Sequence, residues 1–177
     1  MSTVRELLTN GTQRLRSSGS ATARLDAELL LGAALGVDRT VLLAHPEATV
    51  GDGPAARFGG DLARRESGEP VAYIRGVKEF YGLAFTVDRR ALIPRPETEL
   101  LVETALRLIL ERLTARPRPR GSPPLRIVDV GTGAGTIAVA LGVVLRRRGA
   151  ADDVEILATD ESPEAIALAR ENAVGHG

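Results

Sequence analysis

Cysteine and tryptophan are absent from the 177 residues, lysine occurs once, at Lys78, histidine twice, at His45 and His176, and aromatic residues make up only 3% of the chain. Without cysteine there can be no disulfide, thiolate metal ligand or cysteine nucleophile, and two histidines are too few for a histidine cage, so no metal centre is expected. No run approaches the roughly 18 apolar residues of a membrane span. The opening MSTVRELLTNGTQRLR also lacks the uninterrupted apolar core of a secretory signal. Charge of one sign is not in excess either: 23 basic and 23 acidic residues cancel. A general binder of nucleic acid or of a membrane surface would normally be basic. The expectation is a cytoplasmic protein, a monomer, with no direct nucleic-acid or membrane contact and with partners chosen by shape and local groups.

What is present has the makings of a globular fold: 44% apolar and 26% charged residues, in a length that suits one domain or a small domain with part of another. Thr3 and Glu6 fit a capping box for a first helix reaching Ser17. A second helix is expected over Thr22 to Leu35 with Gly36 as its stop, a short third over Arg39 to Ala44, and a fourth opened by Pro54 and closed by Gly68. The stretch PVAYIRGVKEFYGLAFTVD, rich in β-branched and aromatic residues and broken by Gly76 and Gly82, predicts a hairpin of short strands. A helix is expected from Glu97 to Thr114, with Leu100, Leu101, Thr104, Leu108 and Leu113 near one broad face. ARPRPRGSPPL then reads as a semi-stiff connector.

Beyond the connector the order is strand (RIVDVG), glycine loop, helix, strand (VEILATD), helix with Ser162 as N-cap, which is one βαβα unit. The fold class expected is therefore α plus α/β. A helical bundle over residues 1–69 and a β-hairpin connector over 70–92 precede the first βαβα part of a Rossmann-like sheet over 93–177. Two lone parallel strands would leave apolar edges and faces uncovered.

Chemistry concentrates in Asp129-Val130-Gly131-Thr132-Gly133-Ala134-Gly135, at a strand-to-helix turn. Glycines let the backbone turn sharply and approach a ligand, and the helix start presents free N–H groups with partial positive charge. The spacing is G-x-G-x-G, with Thr136 where the dinucleotide fingerprint would place its last small residue, which disfavours a nicotinamide cofactor. Asp160 ends the second strand, where a carboxylate can accept both ribose hydroxyls of an adenosine or can simply lead the next helix.

DVGTGAGTIAVAL followed by ATDESPEAIALARENA resembles the first two motifs of class I S-adenosylmethionine methyltransferases. GEPVAYIRGVKEFYGLAFTVDRRALIPRPETELLVE and ATARLDAELLLGAALGVDRTVLLAHPE resemble the corresponding parts of the HemK/PrmC family, which methylates the glutamine side-chain nitrogen of the GGQ motif in class-one peptide chain release factors. The resemblance implies S-adenosyl-L-methionine as cofactor, with Gly131, Thr132, Gly133, Ala134 and Gly135 around its methionine part and Asp160 at its ribose, beside Asp129. It implies that Pro94, Arg95, Pro96, Glu97 and Thr98 shape the site, and that the helical bundle binds the release factor. Phe80 and Tyr81 are expected in the hairpin core rather than at a ligand.

The family's substrate signature, N-P-P-[YF], is absent: asparagine occurs only at Asn10 and Asn172, and Pro123-Pro124 is followed by Leu125. No catalytic residue is therefore assigned, and the chain is expected to be cut off before that motif and inactive alone. Other readings left open by the residues are a release-factor-binding fragment without catalysis, a dinucleotide oxidoreductase, and an amino-methyltransferase acting on another substrate such as a nucleic-acid base.

Overall fold

A computed structural model describes residues 2–115 and 123–177. The expected connector falls largely on 116–122 and lies outside the described residues. The chain divides into two compact units, Met1–Arg75 and Gly76–Gly177.

The first unit is helical: α1 (Val4–Ser17), α2 (Ala23–Leu35), α3 (Arg39–Ala44), α4 (Asp52–Glu66) and α5 (Val71–Arg75), with a two-residue antiparallel pairing of β1 (Ser2–Thr3) and β2 (Thr49–Val50). The capping box forms as expected: the Glu6 N–H donates to Thr3 Oγ1 at 3.2 Å and the Thr3 N–H to Glu6 Oε2 at 2.9 Å. Leu8 and Leu15 of α1, Leu30 and Leu31 of α2, and Phe58 and Leu62 of α4 meet in one core. Gly11 makes that packing possible, because a β-carbon there would stand 2.7 Å from the Phe58 ring.

Two expectations need correction here. Helix α4 begins at Asp52, with Gly51 as N-cap and Pro54 in the first turn rather than at its first position. None of the first helical N–H groups has an intrahelical acceptor, so proline is tolerated at each of them. Val71–Arg75 is helix, not strand. The Pro70 carbonyl accepts from the Tyr73 and Ile74 N–H groups, and Gly76 turns away at φ 70°. Proline in front and glycine behind outweigh the β-branched composition of five residues.

Two carboxylates are buried in this unit. Asp26 accepts from the Ser20 and Thr22 hydroxyls, both at 2.9 Å, and from Arg65 Nε at 2.8 Å. Glu28, 2% exposed, is held between Arg24 and Arg39. Burial pushes the Glu28 carboxyl up, but hydrogen bonds and charge from Arg39 and Arg24 outweigh it and hold it below the ordinary carboxylate range. With a folded pKa depressed below the unfolded one, its contribution is fully present above the ordinary value near about 4.3 and fades as pH falls through the folded value. Urea unfolding of the wild type and of Glu28→Gln is expected to show a stability gap that is constant above about pH 5 and narrows toward pH 3. A gap that widens with acid would contradict this.

The second unit opens with an antiparallel hairpin, β3 (Val77–Phe80) and β4 (Leu83–Thr86), in register Val77 with Thr86 and Phe80 with Leu83. Its two-residue turn, Tyr81-Gly82, has φ 53° and 68°, the pair of positive values that suits the twist of a tight hairpin. Phe80 and Phe85 are buried edge to face, at a centroid distance of 6.1 Å. A 3-10 turn over Pro96–Thr98 leads into α6 (Glu99–Ala115). The residues α6 buries are Val102, Leu106 and Ile109, whereas Leu100, Leu101 and Leu108 are exposed. This helix is apolar around much of its circumference, so periodicity alone did not say which side would face its neighbour.

Strands β5 (Leu125–Val130) and β6 (Val154–Thr159) pair in parallel, Asp129 opposite Ala158 and Val130 opposite Thr159, with α7 (Thr136–Arg147) between them in sequence and α8 (Pro163–His176) after them. Ser162 caps α8 by accepting the Ala165 N–H at 3.1 Å. As expected for two lone parallel strands, one face is uncovered: Ile127 and Asp129 are half-buried, while Val128 and Val130 are 55% and 81% exposed, with Leu157 of β6 on the same bare face. Among the described residues no helix is long and apolar enough to cross a membrane.

Candidate functional site

Strand β5 ends at Val130 and α7 starts at Thr136, so Gly131 to Gly135 make the whole turn. Gly131, Gly133 and Gly135 have φ of 76°, 55° and 79°, where a β-carbon would crowd the following carbonyl. At Gly135 space is a second demand, since a β-carbon would stand 3.0 Å from Ala169 Cβ and 3.1 Å from Ala169 Cα on α8. At Gly131 nothing lies within 4 Å of the added atom.

Hydrogen bonds fix the turn from both strand ends. The Gly131 and Thr132 N–H groups donate to the Thr159 carbonyl at 2.8 and 2.9 Å, and the Gly135 N–H to the Thr132 carbonyl at 2.8 Å. Asp129 Oδ2 accepts the Thr132 hydroxyl at 2.7 Å. Asp160 Oδ2 accepts the Gly133 N–H at 2.8 Å while its Oδ1 accepts the Ser162 N–H at 3.0 Å. The Ser162 N–H first, then that of Gly133, holds the Asp160 carboxyl below the usual carboxylate range, so it is ionised at neutral pH. The Ala134 N–H has no partner among the described residues, and the first N–H groups of α7 lack intrahelical acceptors. Together they form a cluster of donors at the positive end of a helix.

The segment after the hairpin runs beside this turn. Its contact with the loop is made by Ala91, whose Cβ lies 3.8 Å from the position of a β-carbon on Gly133. Arg90 anchors it, pairing with Asp88 at 2.7 Å and with Glu171 of α8 at 2.6 Å. Pro94 is buried, and Arg95, Pro96 and Glu97 are exposed. The Arg95 carbonyl accepts the Thr98 N–H at 3.1 Å to close the 3-10 turn, and among the described residues no hydrogen bond joins Pro94 through Thr98 to the glycine loop. The acid that reaches across is Glu99, whose Oε1 accepts the Tyr81 N–H at 2.9 Å and so steadies the hairpin turn.

The structure thus joins Asp129, the loop Gly131 to Gly135 and Asp160 by hydrogen bonds, while Pro94 to Thr98 form the 3-10 entry to α6. Sequence reasoning missed Ala91, Arg90, Glu171 and Asn172. Arg90 and Glu171 carry no short-range signal, because they are 81 residues apart. Among the described residues no group of three or more acidic or histidine side chains could hold a metal ion.

Comparison with known proteins gives a consistent picture. Residues 6–76 match the family described as the PrmC N-terminal domain. The release factor glutamine methyltransferase of Deinococcus radiodurans is 40% identical over 174 residues, covering 98% of this chain and 57% of the relative. That of Escherichia coli K12 is 41% identical over 87% of this chain and 50% of its own length. That of Bradyrhizobium diazoefficiens is 44% identical over 93% and 51%. The likeness to the HemK/PrmC family carried by the motifs therefore extends over nearly the whole chain, and the chain spans about half the length of the curated relatives it matches.

Proposed function

We propose that this chain carries the cofactor-binding part of a HemK/PrmC-type enzyme, a Rossmann-like S-adenosylmethionine site formed by Gly131, Thr132, Gly133, Ala134, Gly135 and Asp160. The helical unit would serve as the release-factor-binding part, with the hairpin between them. The observation that carries the reading is the donor cluster of the loop lying beside an ionised carboxylate. A cofactor with an amino-acid carboxylate and a ribose diol needs both: N–H donors for the first and an acceptor for the second.

The residues fit that demand. Space in front of Gly131 is open, the Ala134 N–H is without a partner among the described residues, and the Asp160 carboxylate, with about four lone-pair sites, keeps acceptor capacity for a ribose hydroxyl beside the N–H groups of Gly133, Ser162 and Glu161. Asp129 does not face the ligand in this reading; it holds Thr132, and through it the loop. Pro94 to Thr98 shape the site indirectly, by fixing the path of the chain between Ala91 and Glu99.

When bound, S-adenosylmethionine supplies an electrophilic methyl group on a sulfonium. The acceptor proposed is the side-chain nitrogen of the GGQ glutamine of a class-one release factor. That amide nitrogen is a weak nucleophile, so transfer requires groups that hold its NH₂ and aim its lone pair. An Asn-Pro pair that could do this does not occur in the sequence. Binding and transfer are therefore expected to separate: calorimetry with the 177-residue chain should detect S-adenosylmethionine, while labelled cofactor and a GGQ peptide should give no methylated product. Binding of NAD in preference to S-adenosylmethionine would overturn the cofactor assignment.

A further inference from the structure

Asn172 lies in the last third of α8, where an asparagine is a poor helix former and an ordinary sequence reading puts it on the surface. It is 3% exposed instead. A buried carboxamide needs partners for an acceptor and for its donors, and Asn172 finds them on two other elements. Its Oδ1 accepts the Thr86 N–H at 2.8 Å, and its Nδ2 donates to the Thr86 carbonyl at 3.0 Å and to the Ala134 carbonyl at 2.9 Å. One side chain thus closes a two-bond pairing with the last residue of β4 and reaches the glycine loop.

The Ala134 bond matters because of which peptide it holds. In the Ala134–Gly135 peptide the N–H is already committed to the Thr132 carbonyl and the C=O is committed to Asn172, so the plane is pinned at both ends. Rotation of that plane would break both bonds and turn the Ala134 carbonyl toward the Thr132 carbonyl, so the turn that leads into α7 would lose its shape. Arg90 ties the segment after β4 to Glu171, the neighbour of Asn172, so hairpin, α8 and loop meet over two consecutive residues.

We infer that Asn172 is a positioning residue for the cofactor loop: it sets the orientation of the Ala134–Gly135 peptide and couples it to the hairpin, and thereby sets cofactor affinity. This rests on the cofactor site proposed above. Asn172→Asp keeps the shape and the acceptor for the Thr86 N–H but replaces both donors by an oxygen facing two carbonyls. Leu106→Ala, on the buried side of α6 and not among the residues hydrogen-bonded to the loop, serves as a control that lowers stability.

Calorimetry with S-adenosylmethionine on the full chain is expected to show affinity about tenfold or more weaker for Asn172→Asp, and unchanged for Leu106→Ala at a comparable loss of thermal stability. Hydrogen exchange without cofactor should be faster at residues 134–137 in Asn172→Asp than in Leu106→Ala. If Asn172→Asp does not fold, Asn172→Ser, which retains a hydroxyl too short to reach both partners, takes its place. Equal weakening in both variants, or affinity within twofold of wild type together with unchanged loop exchange, would overturn the inference. Failure of the wild type to bind S-adenosylmethionine would instead sink the cofactor reading, and the exchange data alone would then decide whether Asn172 orients the loop.

Discussion

Gly135→Ala is expected to destabilise the Gly76–Gly177 unit by about 2 to 5 kcal/mol and to abolish the cofactor binding proposed for the loop. Two separate costs combine. A β-carbon in the left-handed region costs roughly 1–2 kcal/mol, and overfilling a packed contact typically adds about 1–3 kcal/mol. The contact cannot yield easily, since the atoms 3.0 and 3.1 Å away are Cβ and Cα of Ala169, which belong to the body of α8 rather than to the end of a long side chain. Gly131→Ala provides the comparison. Its φ of 76° is almost the same, but no atom lies within 4 Å of the new methyl group, so only the conformational cost of about 1–2 kcal/mol remains. Urea unfolding of the two variants should separate strain from crowding. Equal losses would mean that α8 moves aside freely and that the Gly135–Ala169 approach is not a constraint.

Arg65→Ala should cost the Met1–Arg75 unit about 3 kcal/mol, at the lower end of what is lost when one partner of a buried ion pair is removed. Asp26 is 5% exposed, and without Arg65 its remaining partners would be two hydroxyls, from Ser20 and Thr22. Those can donate hydrogen bonds but cannot neutralise the carboxylate. The cost sits at the lower end because the Arg65 side chain is 22% exposed, so the pair is partly solvated. Combining Arg65→Met with Asp26→Asn removes both charges while keeping a carboxamide for the hydroxyls, and the double variant should be more stable than Arg65→Ala alone. A double-mutant cycle by chemical denaturation measures the coupling; additive losses would show that the pair contributes nothing beyond its separate contacts.

Local chemistry made the elements legible, whereas long-range partners did not appear in it. Thr3 with Glu6, Gly36 after α2, Ser162 with Pro163 before α8, and the glycines after β5 each act within a few residues, and each is found doing what its type implies. Where several elements compete for a surface, the pattern was insufficient. Leucine on α6 occurs on both the buried and the exposed sides, and the β-branched residues of 71–75 were overruled by the proline and glycine that frame them. The loop was legible as a sharp strand-to-helix turn because glycine at positive φ is a backbone requirement. The groups holding it were not: Asn172 is 38 residues from Ala134 and 86 from Thr86, and nothing in a helix sequence reports which carbonyl a buried amide will meet.

The bare side of the β5–β6 pair has a consequence for handling the protein at the bench. On that side Arg126 and Glu155 form a cross-strand ion pair at 2.8 Å, while Val128, Val130 and Leu157 are exposed with no charged residue among them on the same face of the two strands. One end of the surface is therefore wetted and the other oily. Added sulfate strengthens the tendency of such apolar surface to be covered and screens the ion pair at the same time. Salting-out is thus the step most apt to drive these molecules together through this side, and low-salt buffers at modest protein concentration are the conditions that keep them dispersed.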